Sequence, residues 1–155
     1  MKRIACLLLI AALLCACAGT QGAGTKAYGE DFAGRVVDAW REKGCLDGMA
    51  QYSDTDLLDY YGIDLDACKC GAGFADAVGY TTEAIVVVAD EATAKEIETL
   101  LSDHVAAMQE TFRSYDPEAY RIAQQAVLER DGGMVVMLIS PDAQTMLGIL
   151  HGVNP

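Results

Sequence analysis

The chain has 155 residues, among them 23 acidic and 11 basic side chains, and its formal net charge at pH 7 is -12. A surface this acidic repels nucleic acids and anionic lipid headgroups, which attract basic patches, so we expect no nucleic-acid partner. The length is that of one domain of ordinary size with a single hydrophobic core.

The N-terminal residues follow the plan of a secretory signal, in which a positive end precedes an apolar core and small residues. Lys2 and Arg3 supply the positive end, and residues 4–14 form the core. About eleven apolar residues are too few for a membrane-spanning helix, which needs about 20. The core ends in Leu14-Cys15-Ala16-Cys17. This block resembles the lipobox of bacterial lipoproteins, because a branched apolar residue stands three positions before the final cysteine.

The lipobox resemblance implies that residues 1–16 are a signal peptide cleaved before Cys17, and that Cys17 then carries diacylglycerol on its sulfur. An ordinary secretory signal with incidental cysteines is the alternative. Two or three acyl chains hold a small domain firmly to a bilayer, since each buried methylene contributes about 0.8 kcal/mol. We therefore expect membrane lipid as a partner through Cys17, and a location at the extracytoplasmic face of the cell membrane. Residues 17–28 are small, polar and glycine-rich, which is typical of a flexible tether.

Residues 29–155 are predicted to form a single domain, which begins with two helices. Apolar residues at helical spacing predict a first helix from residue 30 to Gly44. Ser53 opens a capping sequence for a short helix over residues 55–61. Residues 64–73 are rich in glycine and contain two cysteines, so we expect them to be irregular.

Strands and helices alternate in the rest of the domain. Apolar runs predict one hairpin over residues 74–80 and 84–89, and a second over residues 126–130 and 134–139, with Asp131-Gly132-Gly133 as its turn. Capping signals predict helices over residues 91–113, 117–125 and 140–150. Hairpins joined by helices predict an α+β domain with a mostly antiparallel four-stranded sheet and helices packed on one face.

Four fragments of this domain, together with the strand over residues 133–139, carry a resemblance to a known family. They are Asp56-Leu57-Leu58-Asp59-Tyr60-Tyr61-Gly62-Ile63-Asp64, Thr82-Glu83-Ala84-Ile85, Phe112-Arg113-Ser114-Tyr115-Asp116-Pro117-Glu118-Ala119-Tyr120 and Ser140-Pro141-Asp142-Ala143. In this order, over residues 54–143, they resemble small bacterial surface lipoproteins with the domain of unknown function 4358. The resemblance implies an uncharacterised globular domain and brings no catalytic residue. The chain departs from the family around Cys68-Lys69-Cys70.

Three cysteines remain after the signal: Cys45, Cys68 and Cys70. Export favours a disulfide, and three thiols allow one intrachain bridge. Cys45 could pair with Cys68 or with Cys70, whereas a bridge inside Cys68-Lys69-Cys70 would close a strained ring. Unreacted thiols are the other structural interpretation. Two chemical alternatives stay open: Lys69 could activate a thiol for redox chemistry, or the thiolates with a histidine could hold zinc.

The other candidate side chains have structural interpretations that we favour. His104 lies beside the apolar stripe of the long helix, where it could pack its ring or act as a base, and His151 follows the last helix. Four tyrosines could form an aromatic patch for a glycan or peptide, or lie at the edge of the core: Tyr60, Tyr61, Tyr115 and Tyr120. Five acids have a spacing similar to that of a calcium loop, but helix capping and a solvated face explain them better: Asp54, Asp56, Asp59, Asp64 and Asp66.

No catalytic constellation, metal site or cofactor motif stands out from these patterns. The expected function is therefore that of a lipid-anchored surface protein, a non-enzymatic binding or accessory module for a protein or small ligand. The alternative is a thiol-redox protein of the cell envelope that uses Cys45, Cys68 and Cys70.

Overall fold

The computed structural model describes residues 26–79 and 81–155. Cys17, the signal over residues 1–16 and most of the predicted tether lie outside the described residues. The elements in chain order are α1 Phe32–Glu42, β1 Met49–Gln51, α2 Asp54–Tyr61, a 3₁₀ turn Leu65–Ala67, β2 Cys70–Asp76, β3 Glu83–Val88, α3 Glu91–Phe112, α4 Pro117–Gln124, β4 Val127–Asp131, β5 Met134–Ile139 and α5 Ala143–Gly152.

The strands form one sheet in the order β1-β2-β3-β5-β4, and every neighbouring pair is antiparallel. The predicted α+β class with an antiparallel sheet is confirmed. The described sheet has five strands rather than four, because Met49–Gln51 adds a short edge strand beside β2. Three residues are too few for a period-two pattern to be recognised in a sequence.

Helices cover both faces of the sheet, not one. β3 and β5 are buried along their whole length, and successive side chains of a strand point to opposite faces. One face packs Val86 and Val136 against α1 and α5. The other packs Val87 and Met137 against α2, α3 and α4. Apart from Glu83, both strands are apolar on both faces, so a single helical layer would leave apolar side chains exposed to water.

The first core fixes the N-terminal part of the domain. The indole nitrogen of Trp40 in α1 donates a hydrogen bond of 2.9 Å to the carbonyl of Met146 in α5. The hydroxyl of Tyr28 donates to Asp131 at 2.7 Å, and its ring packs against Phe32. Tyr28 is buried, so the packed domain includes this last residue of the predicted tether.

β2 begins at Cys70, inside the segment that we expected to be irregular. Glycine is uncommon in strands, so the sequence of β2 does not predict one. At Gly73, close packing explains why a glycine is present. A Cβ there would approach the side chains of Leu57 and Tyr52 to 2.7 and 3.2 Å. Gly73 therefore lets α2 and the residue after β1 pack closely over the sheet. This close packing brings the aromatic side chains of the next section together.

Candidate functional site

A cleft of about 370 Å³ opens on the sheet face that α2 and α3 cover. Three tyrosines, a glutamate, a histidine and a methionine line it: Tyr52, Tyr60, Tyr61, Glu83, His104 and Met108. This volume falls within the range of small-molecule sites in proteins, about 300–1,000 Å³. The cleft therefore has the size and the mixed aromatic and polar lining of a ligand site.

Two local structures hold the tyrosines in place. Ser53 and Asp56 form a reciprocal capping box at the start of α2, and Gly62 ends the helix in a left-handed conformation with φ of 70°. Tyr60 and Tyr61 stand in the last turn between these two signals. Tyr52 precedes the cap, and its amide donates to the carbonyl of Gly73 at 2.9 Å. The capping residues at both ends of α2 thus determine where the aromatic rings lie.

The polar part of the cleft is a buried pair of Glu83 and His104. Glu83 is the first residue of β3, and His104 lies in the middle of α3. The Nε2 atom of His104 is 2.7 Å from Oε2 of Glu83, while 3% of the glutamate side chain and 23% of the histidine side chain are exposed. A carboxylate so deeply buried is costly without a partner. The pair is therefore a specific structural feature of this face and not a surface contact.

Tyr61 completes the polar network. Its hydroxyl donates to the hydroxyl of Tyr52 at 3.0 Å, and its ring centroid is 4.7 Å from that of His104. Burial, followed by the nearby charge of Glu83 and the bond to Tyr52, raises the pKa of Tyr61 far above its ordinary value. Tyr61 consequently stays neutral over the physiological range, where it serves as a hydrogen-bond donor.

Sequence reasoning found only part of this site. Tyr60, Tyr61 and His104 were candidates, and the structure brings them together with Tyr52 and Glu83. Tyr115 and Tyr120 lie elsewhere: Tyr115 is exposed and packs on Phe112, and Tyr120 follows in α4. Glu83 was missed, although the sequence carried one signal: it is the only charged residue of β3, whose other residues are apolar.

The acids with calcium-loop spacing serve as caps at two of their positions, as predicted. The Asp56 carboxylate accepts bonds from the amide and hydroxyl of Ser53 at 2.9 and 2.7 Å. Asp64 accepts from the amide of Asp66 at 3.0 Å and caps the 3₁₀ turn. Within the described ranges, no three His, Cys, Asp or Glu side chains converge in a way that could hold a metal ion.

All three cysteines in the described part of the chain are free thiols. The amide of Cys45 bonds to Trp40 at the end of α1, whereas the Cys70 thiol donates to the carbonyl of Gly29 just before α1. A helix of 11 residues is about 16 Å long, and a disulfide needs Cα atoms within about 7 Å. Cys45 and the Cys70 thiol thus lie at opposite ends of α1, and a disulfide of Cys45 with Cys68 or Cys70 stays a prediction.

The surroundings of Cys45 and Cys68 disfavour reactivity. Burial, and then the charges of Asp142 and Asp47, raise the pKa of Cys45. Burial also raises the pKa of Cys68, and the charged side chains that act on it, Asp64 and Asp90, are acidic. Reactive cysteines need a lowered pKa, which basic neighbours or a helix N-terminus provide. At Cys68 the pKa is raised, which is opposite to the lowering that Lys69 was suggested to cause.

His151 forms a second histidine–glutamate contact. It joins the same two residue types as the contact between Glu83 and His104, but it is more exposed to solvent. Its Nε2 atom is 2.8 Å from Oε1 of Glu129. The His151 and Glu129 side chains are half and one-third exposed, respectively. Exposed pairs contribute little to stability, so this contact is a useful reference for the pair of Glu83 and His104.

Comparison with known proteins gave one match. The model of a family described as "Domain of unknown function (DUF4358)" matches residues 43–140. That range contains every residue of the cleft, from Tyr52 to Met108. No curated protein and no solved structure matches the chain. Among the described helices, none is long and apolar enough to cross a membrane.

Proposed function

The chain belongs to the family of the domain of unknown function DUF4358, and we propose that it is a lipid-anchored binding module. Cys17 holds it at the extracytoplasmic face of the cell membrane, and the cleft over α2, β3 and α3 captures a small ligand there. The lipobox resemblance of Leu14-Cys15-Ala16-Cys17 supports the anchor. The cleft supports the binding role.

The observation that carries the binding role is the cluster of three tyrosines around the contact between Glu83 and His104. Ligand sites are typically concave, lined by aromatic and apolar side chains, and supplied with a few fixed polar groups. Tyr60 is 65% exposed, so a large apolar ring faces solvent at the cleft rather than packing into the core.

The anchor is tested by acylation in bacterial cells. Full-length protein should incorporate radioactive palmitate, and globomycin should block its processing. Cys17→Ala should incorporate none, because the acylated sulfur is gone. Cys15→Ala is the matched control and should be labelled like the wild type. No branched apolar residue stands three positions before Cys15, so Cys15 is not the lipidated cysteine of the proposed lipobox. Palmitate on Cys17→Ala, or an unlabelled wild-type protein, would refute the anchor.

The binding role is tested by a fragment screen on the full-length protein in detergent. Binders should be detected by ligand-observed NMR and should lose affinity in Tyr60→Ala. Tyr115→Ala is the matched control, because Tyr115 is 67% exposed and lies outside the cleft. One removed aromatic contact should weaken binding about tenfold. If every fragment that binds is indifferent to Tyr60→Ala, the cleft is not the binding site.

A further inference from the structure

The aromatic wall of the cleft is concave. The ring centroids of Tyr52 and Tyr60 are 6.0 Å apart with their planes at 51°, and those of Tyr52 and Tyr61 are 5.5 Å apart at 68°. Rings inclined at these angles do not stack flat on one another, and all three line the cleft. The face of an aromatic ring carries the negative part of its quadrupole and attracts cations.

Carboxylates stand around this wall. Glu83 lies at the cleft itself, and an adjoining depression that shares Tyr52 and Tyr60 is lined by Asp56 and Asp76. The bonds from Ser53 lower the pKa of Asp56. Partial burial opposes ionisation of Asp76, but hydrogen bonds from the amides of the loop after β2 outweigh it and hold its pKa well below the ordinary value. Both side chains therefore remain negatively charged in neutral solution.

Basic side chains do not offset this charge at the lining. Neither the cleft nor the adjoining depression has a lysine or arginine among its described lining residues. Arg41 reaches Gln51 at 2.9 Å from the opposite side of the sheet, where its guanidinium lies over the ring of Phe74. His104 adds a positive charge only when protonated, and it is then paired with Glu83. The surface is complementary to a cation.

We propose that the cleft binds an organic ammonium cation, a soluble amine or the ammonium headgroup of a lipid, with its charge against the tyrosine faces. This inference rests on the proposed function and specifies its ligand. Aromatic faces favour large, weakly hydrated cations such as quaternary ammonium groups over small, strongly hydrated metal ions. The volume of about 370 Å³ accommodates such a group together with part of its carrier.

Choline and its neutral isostere 3,3-dimethylbutan-1-ol provide the direct test, because they have the same shape and differ in charge. Full-length protein with ¹³C-labelled methionine methyl groups is titrated in a polyoxyethylene detergent, which carries neither an ammonium group nor a sugar. Met108 lines the cleft and Met146 is buried in the opposite core. Choline should shift the Met108 signal and leave Met146 unchanged, at an affinity at least about tenfold above that of the alcohol.

Two substitutions separate the ring from its hydroxyl. Tyr60→Phe keeps the aromatic face and should retain choline affinity within about twofold, whereas Tyr60→Ala should lose about tenfold. Tyr115→Ala should bind like the wild type. If Tyr60→Phe is as weak as Tyr60→Ala, the hydroxyl rather than the ring face binds the ligand and the cation proposal fails.

The outcomes distinguish the ligand class from the binding role. If the alcohol or glucose shifts Met108 as strongly as choline does, the ammonium proposal is overturned while the cleft remains a binding site. If the fragment screen also finds no ligand that depends on Tyr60, the binding role fails as well.

Phosphatidylglycerol nanodiscs with and without phosphatidylcholine then show whether the bound ammonium group belongs to a lipid or to a soluble amine. A Met108 shift that requires phosphatidylcholine in the disc assigns the headgroup, and one that follows free choline in plain discs assigns the soluble amine.

Discussion

Replacing His104 by leucine is expected to lower the free energy of unfolding by about 1–3 kcal/mol, the cost of removing a hydrogen-bond partner from a buried polar group. The substitution removes the group at 2.7 Å from Oε2 of Glu83. It leaves a glutamate side chain that is 3% exposed and that water cannot reach to solvate. Urea unfolding of the full-length protein, followed by the fluorescence of the single buried Trp40, measures the loss.

The double variant Glu83→Leu with His104→Leu should be more stable than His104→Leu alone. Replacing both members of a buried pair by apolar side chains removes the desolvation cost together with the attraction, and the net change is often near zero. A double-mutant cycle therefore gives the coupling between the two positions. If the double variant is less stable than His104→Leu, the Glu83 carboxylate is satisfied by groups other than His104.

A solvent-exposed contact of the same two residue types tests whether burial causes the loss. His151→Leu is the matched control, because it breaks a histidine–glutamate contact of 2.8 Å that is exposed to solvent. Exposed pairs contribute about 0–1 kcal/mol, so this variant should remain close to the wild type. Equal losses in the two variants would contradict a special role for burial.

Local signals explain why much of the fold was predictable. Helix α2 is determined within its own sequence by Ser53, Asp56 and Gly62. The long helix α3 starts at Asp90, whose carboxylate accepts from the amides of Ala92 and Thr93. Capping and apolar periodicity need only neighbours in the chain, and so a sequence displays them. The antiparallel hairpins follow from turn residues in the same way.

Features that depend on contacts between residues distant in the chain could not be predicted from the sequence. Glu83 and His104 are 21 positions apart and meet only because β3 and α3 share one face of the sheet. Helical cover on both faces depends on how the whole chain wraps, although the apolar runs of β3 and β5 already pointed to it. Gly73 is read as loop in sequence, while its real role is to admit the Leu57 side chain. The cleft is a product of such long-range packing.

Gly133 shows how one such contact can decide stability, and Gly133→Ala is expected to cost about 3 kcal/mol or more. Its backbone lies against the end of β3, where the amide of Ala89 donates to the Gly133 carbonyl at 2.9 Å. A Cβ at Gly133 would collide with the carbonyl oxygen of Ala89. That oxygen is backbone, fixed between β3 and the Asp90 cap of α3, and it cannot turn aside as a flexible side chain would.

The control for Gly133→Ala is the same substitution at Gly148, which is exposed in α5 and would meet nothing within 4 Å. Alanine in a helix interior is favoured over glycine by about 0.5–1 kcal/mol, so Gly148→Ala should stabilise the domain. The two variants add the same single methyl group, yet their unfolding free energies should change in opposite directions. Urea unfolding of both, side by side, measures the difference. A Gly133→Ala variant as stable as the wild type would show that β3 and the β4–β5 turn are farther apart than the structure places them.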